Sequence, residues 1–198
     1  MQYNKDIHRR RSIRIQNFDY SQAGAYFVTV CSLNRECLFG ELVDGQVRLN
    51  QYGQMVKSEW MKTGIIRPNI HLDEFIVMPN HVHGILMIND DGMGTLQRAL
   101  TSEKFGKPVS NSLPTIVRLF KSMTTKQINV LRPTPERPVW QRNYYEHIIR
   151  DDGELERICE YIMNNPLQWA EDENNPENFT QPFEENMNIL GWNVDKKR

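Results

Sequence analysis

The chain has few cysteines, no long hydrophobic run and no excess of positive charge, and each of these absences excludes a class of protein. Its three cysteines are an odd number without zinc-ribbon spacing, so we expect reduced thiols rather than a disulfide framework or a zinc site. The longest apolar stretch, Gly84–Ile88, is far too short to span a bilayer. The first residues also lack the apolar run of a signal peptide. We therefore expect a cytoplasmic protein with no membrane partner.

The charged residues are unevenly distributed along the chain, although the net charge is only -1. Residues 171–198 carry seven acidic and three basic side chains, which leaves 21 basic and 18 acidic side chains in residues 1–170. Within that larger part, His8–Arg14 is a compact basic arm, which is either a solvated terminus or a contact for phosphates. The sequence therefore predicts one domain at residues 1–170, with the basic arm at its N-terminus, and an acidic tail at residues 171–198.

Local patterns predict strands and helices interleaved along the chain. Runs of β-branched and aromatic residues predict strands at residues 25–31, 38–43, 46–49, 72–78 and 81–88, with Asp44-Gly45 as a hairpin turn. Apolar residues at helical spacing predict helices at residues 50–63, 113–131 and 154–164. Residues 89–112 are predicted to form a loop. This order predicts an α+β sandwich in which helices cover one face of a mostly antiparallel sheet.

Two histidines, His81 and His83, alternate in the predicted strand that follows Met78-Pro79-Asn80. Alternate side chains of a strand share a face, so the two imidazoles point the same way and could bind one divalent cation. Gly84 removes side-chain bulk where a ligand backbone could approach closely. A bare His-x-His pair also fits two histidines on an exposed strand face, so the pair alone does not establish a metal site.

Tyr161 and Asn165 lie four residues apart in the third predicted helix and hence on one helical face. The amide oxygen of Asn165 is a hard ligand, which could complete a Mg²⁺ or Mn²⁺ site together with two imidazoles. Tyr161 would then lie one turn from the metal. The alternative is a half-buried tyrosine followed by an asparagine that ends the helix before Pro166.

Several motifs in the same order make the sequence similar to the REP-associated branch of the single-tyrosine, HUH-type transposases. These are related to the transposases of minimal insertion sequences. The resemblance covers most of residues 8–170, and its motifs are Arg9–Arg14, Tyr20–Thr29, Phe75–His83, Trp140–Arg150 and Tyr161–Pro166. The acidic segment from Glu171 onward departs from the family pattern.

The resemblance implies a ferredoxin-like sheet with the metal on its central strands and the tyrosine helix packed beside it. It implies that His81, His83 and Asn165 hold Mg²⁺ or Mn²⁺ and that Tyr161 is the nucleophile. The implied substrate is single-stranded DNA beside an imperfect, REP-like hairpin, cut and rejoined through a 5′-phosphotyrosine and a free 3′-hydroxyl. Both a monomer and a homodimer stay open.

Basic and aromatic residues other than the metal ligands and Tyr161 are the expected DNA contacts, because cationic groups bind phosphates and aromatic rings stack on bases. They are Arg9, Arg10, Arg11, Arg14, Arg118, Lys121, Arg142, Tyr144, Tyr145 and Arg150. Tyr144 and Tyr145 are also the alternative candidates for the nucleophile.

Three functions fit these observations in unequal degree. A transposase or nicking and rejoining nuclease is the leading hypothesis. The alternative is a catalytically silent, domesticated relative that binds hairpin DNA. A metal-dependent hydrolase of small molecules is disfavoured, because the sequence lacks the further His, Asp and Glu cluster that such a site needs.

Overall fold

Strands and helices alternate along the chain in the computed structural model, which describes residues 18–89, 109–134 and 136–178. The strands are β1 (Gly24–Cys31), β2 (Gly40–Val43), β3 (Gln46–Leu49), β4 (Ile70–Val77), β5 (His81–Ile88) and β6 (Tyr145–Ile149). The helices are α1 (Gln51–Ile65), α2 (Leu113–Leu131) and α3 (Asp152–Asn164). Every strand and helix predicted from local patterns is present, and none of their ends moves by more than about two residues, within the usual uncertainty of such boundaries. Strand β6 was not predicted.

The main sheet has four strands in the order β4-β5-β1-β6, and each neighbouring pair is antiparallel. Apart from the separate β2–β3 hairpin, the order of elements is βαββαβ followed by helix α3, with β1 and β5 at the centre of the sheet, and the βαββαβ part is the ferredoxin-like arrangement. The predicted α+β class and antiparallel sheet are therefore confirmed. The edge strand β4 contains a bulge, where its register with β5 shifts between Leu72 and Phe75.

The helices lie on both faces of the sheet, which corrects the expectation that they cover one face. Helices α1 and α2 pack with Tyr26, Val28 and Val82 in the larger core. Helix α3 packs with Phe27 and Ile85 on the opposite face. The physical reason is that the central strands are buried on both sides, so each side needs a covering layer. Pairing of β1 with β5 places both histidines on the face that α3 covers.

Helix α3 begins at a well-formed N-terminus. The Asp151 side chain accepts a hydrogen bond of 2.8 Å from the Glu154 amide, and Asp152 and Glu154 add negative charge in the first turn. At its other end, Asn165 keeps right-handed helical dihedral angles of -55° and -39°. The four-residue spacing of Tyr161 and Asn165 is therefore helical in the structure, as predicted.

Gly84 serves the core rather than a ligand, which corrects its predicted role. A Cβ atom at this position would overlap Cζ2 of Trp60 and lie 2.9 Å from Cε2. Trp60 is only 1% exposed, and it packs on the face opposite the histidines. The glycine therefore admits the indole of α1 against the sheet.

We expect Gly84→Ala to destabilise the fold by about 3 kcal/mol, since the buried indole has nowhere to move. Thermal unfolding should then occur roughly 6–12 °C lower. Gly153→Ala is the matched control, because a Cβ there meets only the Asp151 and Arg157 side chains at 3.3 Å or more. An unchanged melting temperature for Gly84→Ala would contradict the packing argument.

Some predictions lie outside the described residues. These are the basic arm with Arg9, Arg10, Arg11 and Arg14, most of the loop predicted at residues 89–112, and the tail beyond Asn178. Among the helices that the structure describes, none is long and apolar enough to cross a membrane.

Candidate metal centre

The sheet and helix α3 bring together the four residues that were predicted to form the metal and tyrosine site. His81 and His83 lie on the central strand β5 with their ring centroids 4.4 Å apart. The Tyr161 hydroxyl of α3 lies 3.2 Å from Nε2 of His83. Both histidines are at most 2% exposed, and Asn165 is 1% exposed. The histidines therefore form a buried pair, and the interpretation as an exposed strand face does not apply.

The hydrogen bonds of Asn80 fix which nitrogen of His81 carries the proton. The Asn80 amide group donates to the carbonyl oxygens of Arg35, at 2.9 Å, and of Asn174, at 2.7 Å. Its side-chain oxygen must then accept from Nδ1 of His81, which lies 2.8 Å away. Nε2 of His81 is left with a free lone pair that faces the site. This is the tautomer that a metal ligand requires.

His83 is oriented by a hydroxyl on the neighbouring strand. Thr29 Oγ1 lies 2.8 Å from Nδ1 of His83, and the two residues are direct partners in the β1–β5 pairing. Burial and, to a smaller extent, the Arg35 charge lower the pKa of His81 to about 3. Burial and the neighbouring His81 likewise lower the pKa of His83. Both imidazoles are therefore neutral near pH 7, as metal ligands must be.

The Asn165 amide is held with its oxygen toward the site. Its nitrogen donates to Oδ2 of Asp172 at 2.8 Å. Among the described residues, neither Oδ1 of Asn165 nor Nε2 of His81 has a hydrogen-bond partner. The Asn165 side chain is nevertheless close enough to His81 to partly offset the lowering of its pKa. Two buried acceptors without a donor between them fit a cation, so this donor set could hold a divalent metal.

Asp172 is a site residue that the sequence analysis missed. One oxygen of its carboxylate and one nitrogen of each histidine all lie within 4.8 Å of one another. The residue belongs to the segment that was assigned to the acidic tail, yet it is only 8% exposed. No sequence spacing signals this role, because Asp172 reaches the histidines only through the fold of residues 169–178.

The Tyr161 side chain lies between the histidine pair and the smaller core. Its ring centroid lies 5.2 Å from that of His83 and 6.1 Å from that of Phe27. Burial raises the pKa of the Tyr161 hydroxyl far above its ordinary value, and the nearby Asp172 and Glu173 raise it further. Without a cation, the tyrosine is therefore held in its neutral form.

The described residues that were predicted to contact DNA lie in different environments. Arg118, Arg142 and Arg150 are exposed, and Lys121 and both tyrosines are partly buried. The Lys121 ammonium donates to the backbone carbonyls of Gln141, Arg142 and Asn143, and burial lowers its pKa to about 8. Lys121 therefore positions the segment before β6.

The two adjacent tyrosines point to opposite faces of the sheet. Tyr144 packs against the larger core, whereas Tyr145 pairs with Thr29 and lies on the histidine face. Only Tyr145 therefore shares a face with the site. Burial raises the pKa of Tyr145 to about 12.

Comparisons with known proteins identify relatives over most of the chain. No protein-family model matches it. An uncharacterized protein of Haemophilus influenzae is 41% identical over 174 residues, which are 86% of this chain and 96% of that protein. A putative REP-associated tyrosine transposase of the same organism is 26% identical over 152 residues, which are 76% of this chain and 74% of the relative.

A solved structure shares the fold. It is described as a REP-associated tyrosine transposase bound to a REP hairpin. The likeness covers 81% of this chain and 75% of that one, with a TM-score of 0.53 and 19% identity. At that identity the similarity shows the common architecture.

Proposed function

We propose that this chain is a metal-dependent transposase or nuclease. It belongs to one family with the Haemophilus influenzae relative of 41% identity, and it resembles REP-associated tyrosine transposases in sequence and fold. It cuts and rejoins single-stranded DNA beside imperfect, REP-like hairpins through a covalent bond to Tyr161. One observation carries this proposal: a tyrosine hydroxyl lies 3.2 Å from a histidine in a buried set of metal-ligand atoms.

The proposed ligands of Mg²⁺ or Mn²⁺ are His81, His83 and Asn165. Their neutral imidazoles and amide oxygen suit a divalent cation that accepts both nitrogen and oxygen ligands. When bound, the cation neutralises charge on the scissile phosphate and favours the phenolate form of the nucleophile. That assistance matters here, because the surroundings of Tyr161 raise the pKa of its hydroxyl.

Attack by the Tyr161 oxygen forms a bond to phosphorus, while the bond from phosphorus to the 3′ oxygen of the preceding nucleotide breaks. The products are a 5′-phosphotyrosine and a free 3′-hydroxyl. The phenolic proton passes to solvent, and the leaving 3′ oxygen takes up a proton from solvent. The phosphodiester is conserved, so a 3′-hydroxyl can reverse the step and join strands without ATP. Contacts of Tyr161 with Phe27 and His83 hold the ring in place for this attack.

We assign DNA binding to the predicted basic and aromatic residues. The protein acts in the cytoplasm, as a monomer or a homodimer. The exposed side chains of Arg118, Arg142 and Arg150 suit phosphate contacts, and Tyr145 shares the histidine face. Lys121 suits a structural role better, because three carbonyl oxygens surround its ammonium group.

A catalytically silent hairpin-binding protein is the second candidate. The raised pKa of Tyr161 favours it, since a neutral phenol is a poor nucleophile.

The deciding experiment mixes purified protein, Mn²⁺ and labelled single-stranded hairpin oligonucleotides taken from around its own gene. A denaturing gel should then show a protein–DNA adduct that forms with Mn²⁺ and is absent with EDTA. Tight hairpin binding without an adduct would favour the silent binder. If the protein forms no adduct and does not bind the hairpin, both candidates are refuted.

A further inference from the structure

We propose that Asp172 is the anionic member of the metal site, a role that rests on the metal-dependent function proposed above. The sequence resemblance supplies only neutral ligands, namely two imidazoles and one amide. The structure adds a carboxylate whose oxygen lies within 4.8 Å of one ring nitrogen of each of His81 and His83. All three of these residues are buried.

Several contacts hold the Asp172 carboxylate in place before any cation binds. Oδ2 accepts from the Asn165 amide at 2.8 Å, and Oδ1 accepts from the Asn174 backbone amide. The segment Asp172–Asn175 is held by hydrogen bonds from residues near the ends of β1 and β5. Arg35 donates to the Glu173 carbonyl at 2.6 Å, and Asn80 donates to the Asn174 carbonyl at 2.7 Å. The same Asn80 orients His81, so ligand and carboxylate share one support.

The carboxylate of Asp172 supplies the negative charge that a buried divalent cation needs at this site. A divalent cation among neutral donors would be buried without a counter-charge, and the buried Arg35 guanidinium lies near enough to lower the pKa of His81. Among the described residues, each Asp172 oxygen accepts one hydrogen bond, which leaves further lone pairs for a cation. Hard carboxylate oxygens are also the ligands that Mg²⁺ and Mn²⁺ prefer.

The neighbouring Glu173 provides a matched comparison. It lies in the same segment, but it is not among the residues whose ligand atoms cluster with the histidines. Burial raises the pKa of Glu173, and Asp172 raises it further. A variant of Glu173 therefore changes a nearby charge without removing a proposed ligand.

The test is Mn²⁺ binding to the full-length protein without DNA, measured by isothermal titration calorimetry. Asp172→Asn keeps an oxygen that can accept from Asn165 and loses the charge, so we expect Mn²⁺ affinity to fall at least about 10-fold. Glu173→Gln should change it less than about 3-fold, since the charge it removes is farther from the cation. Wild-type affinity in Asp172→Asn would overturn this inference and leave the proposed metal site intact. Absence of Mn²⁺ binding in the wild type would overturn both.

A second variant keeps the proposal testable if Asp172→Asn folds poorly. Asp172→Cys replaces the hard oxygen with a soft thiolate, which prefers Cd²⁺. Addition of Cd²⁺ should produce a thiolate-to-metal absorption band clearly larger than those of wild type and Glu173→Cys, in which the free thiols Cys31, Cys37 and Cys159 set the background. Equal bands in all three proteins would contradict direct ligation.

Discussion

Tyr161→Phe is expected to abolish the covalent protein–DNA adduct, with a fall of more than about a thousand-fold in cleavage. Phenylalanine keeps the ring that packs against Phe27 and His83, so the fold and the site are preserved. Only the hydroxyl at 3.2 Å from His83 is lost, and with it the atom that bonds to phosphorus. The affinity for the hairpin should stay within about 3-fold of wild type, because the hydroxyl takes part in the reaction and adds little to binding of the unreacted DNA.

The control for this variant is Tyr52→Phe, which removes a hydroxyl from α1 beside the larger core. It should form the adduct at the wild-type rate. The adduct is read on a denaturing gel as label that moves with the protein. An adduct that survives in Tyr161→Phe but is lost in Tyr145→Phe would transfer the nucleophilic role to Tyr145.

His81→Gln is expected to reduce both Mn²⁺ affinity and adduct formation by more than about 100-fold, since a direct ligand should exceed the effect of an outer-shell contact. The Asn80 network presents the lone pair of His81 Nε2 to the site, and that atom has no other partner among the described residues. Glutamine is polar and of similar reach, but it cannot reproduce the fixed imidazole geometry.

His71→Gln is the matched control, because His71 is exposed on the edge strand β4. It should bind Mn²⁺ as the wild type does. Calorimetry measures the affinity directly, and melting curves with and without Mn²⁺ report whether His81→Gln still folds. Unchanged affinity in a folded His81→Gln protein would remove His81 from the proposed ligand set.

The elements that follow local rules were predictable from the sequence. The Asp44-Gly45 turn has both residues at positive φ, and Asn50 caps α1 by accepting from the Gly53 amide at 3.0 Å. Strand β6 was missed for a physical reason. It becomes a strand by pairing with β1, far away in sequence, and its short run Tyr145–Ile149 has no hairpin partner nearby.

The residues of the site were predictable where they lie close together in sequence within one strand or one helix. Strand alternation placed His81 and His83 together, and helical spacing placed Tyr161 near Asn165. The supporting contacts were not predictable, because they join distant segments through backbone atoms. Asn80 reaches the carbonyls of Arg35 and Asn174, and Asp172 meets the histidines only after the chain has crossed the site.

The bulge in β4 bears on how two copies of this protein could meet. The shifted register lies between Leu72 and Phe75, where the intervening residues are Asp73 and Glu74. Antiparallel docking of this edge on its own copy would crowd four carboxylates along an irregular backbone, which resists continuous hydrogen bonding. We therefore expect this edge of the described sheet to disfavour edge-to-edge pairing of two copies, by electrostatic repulsion as well as by geometry.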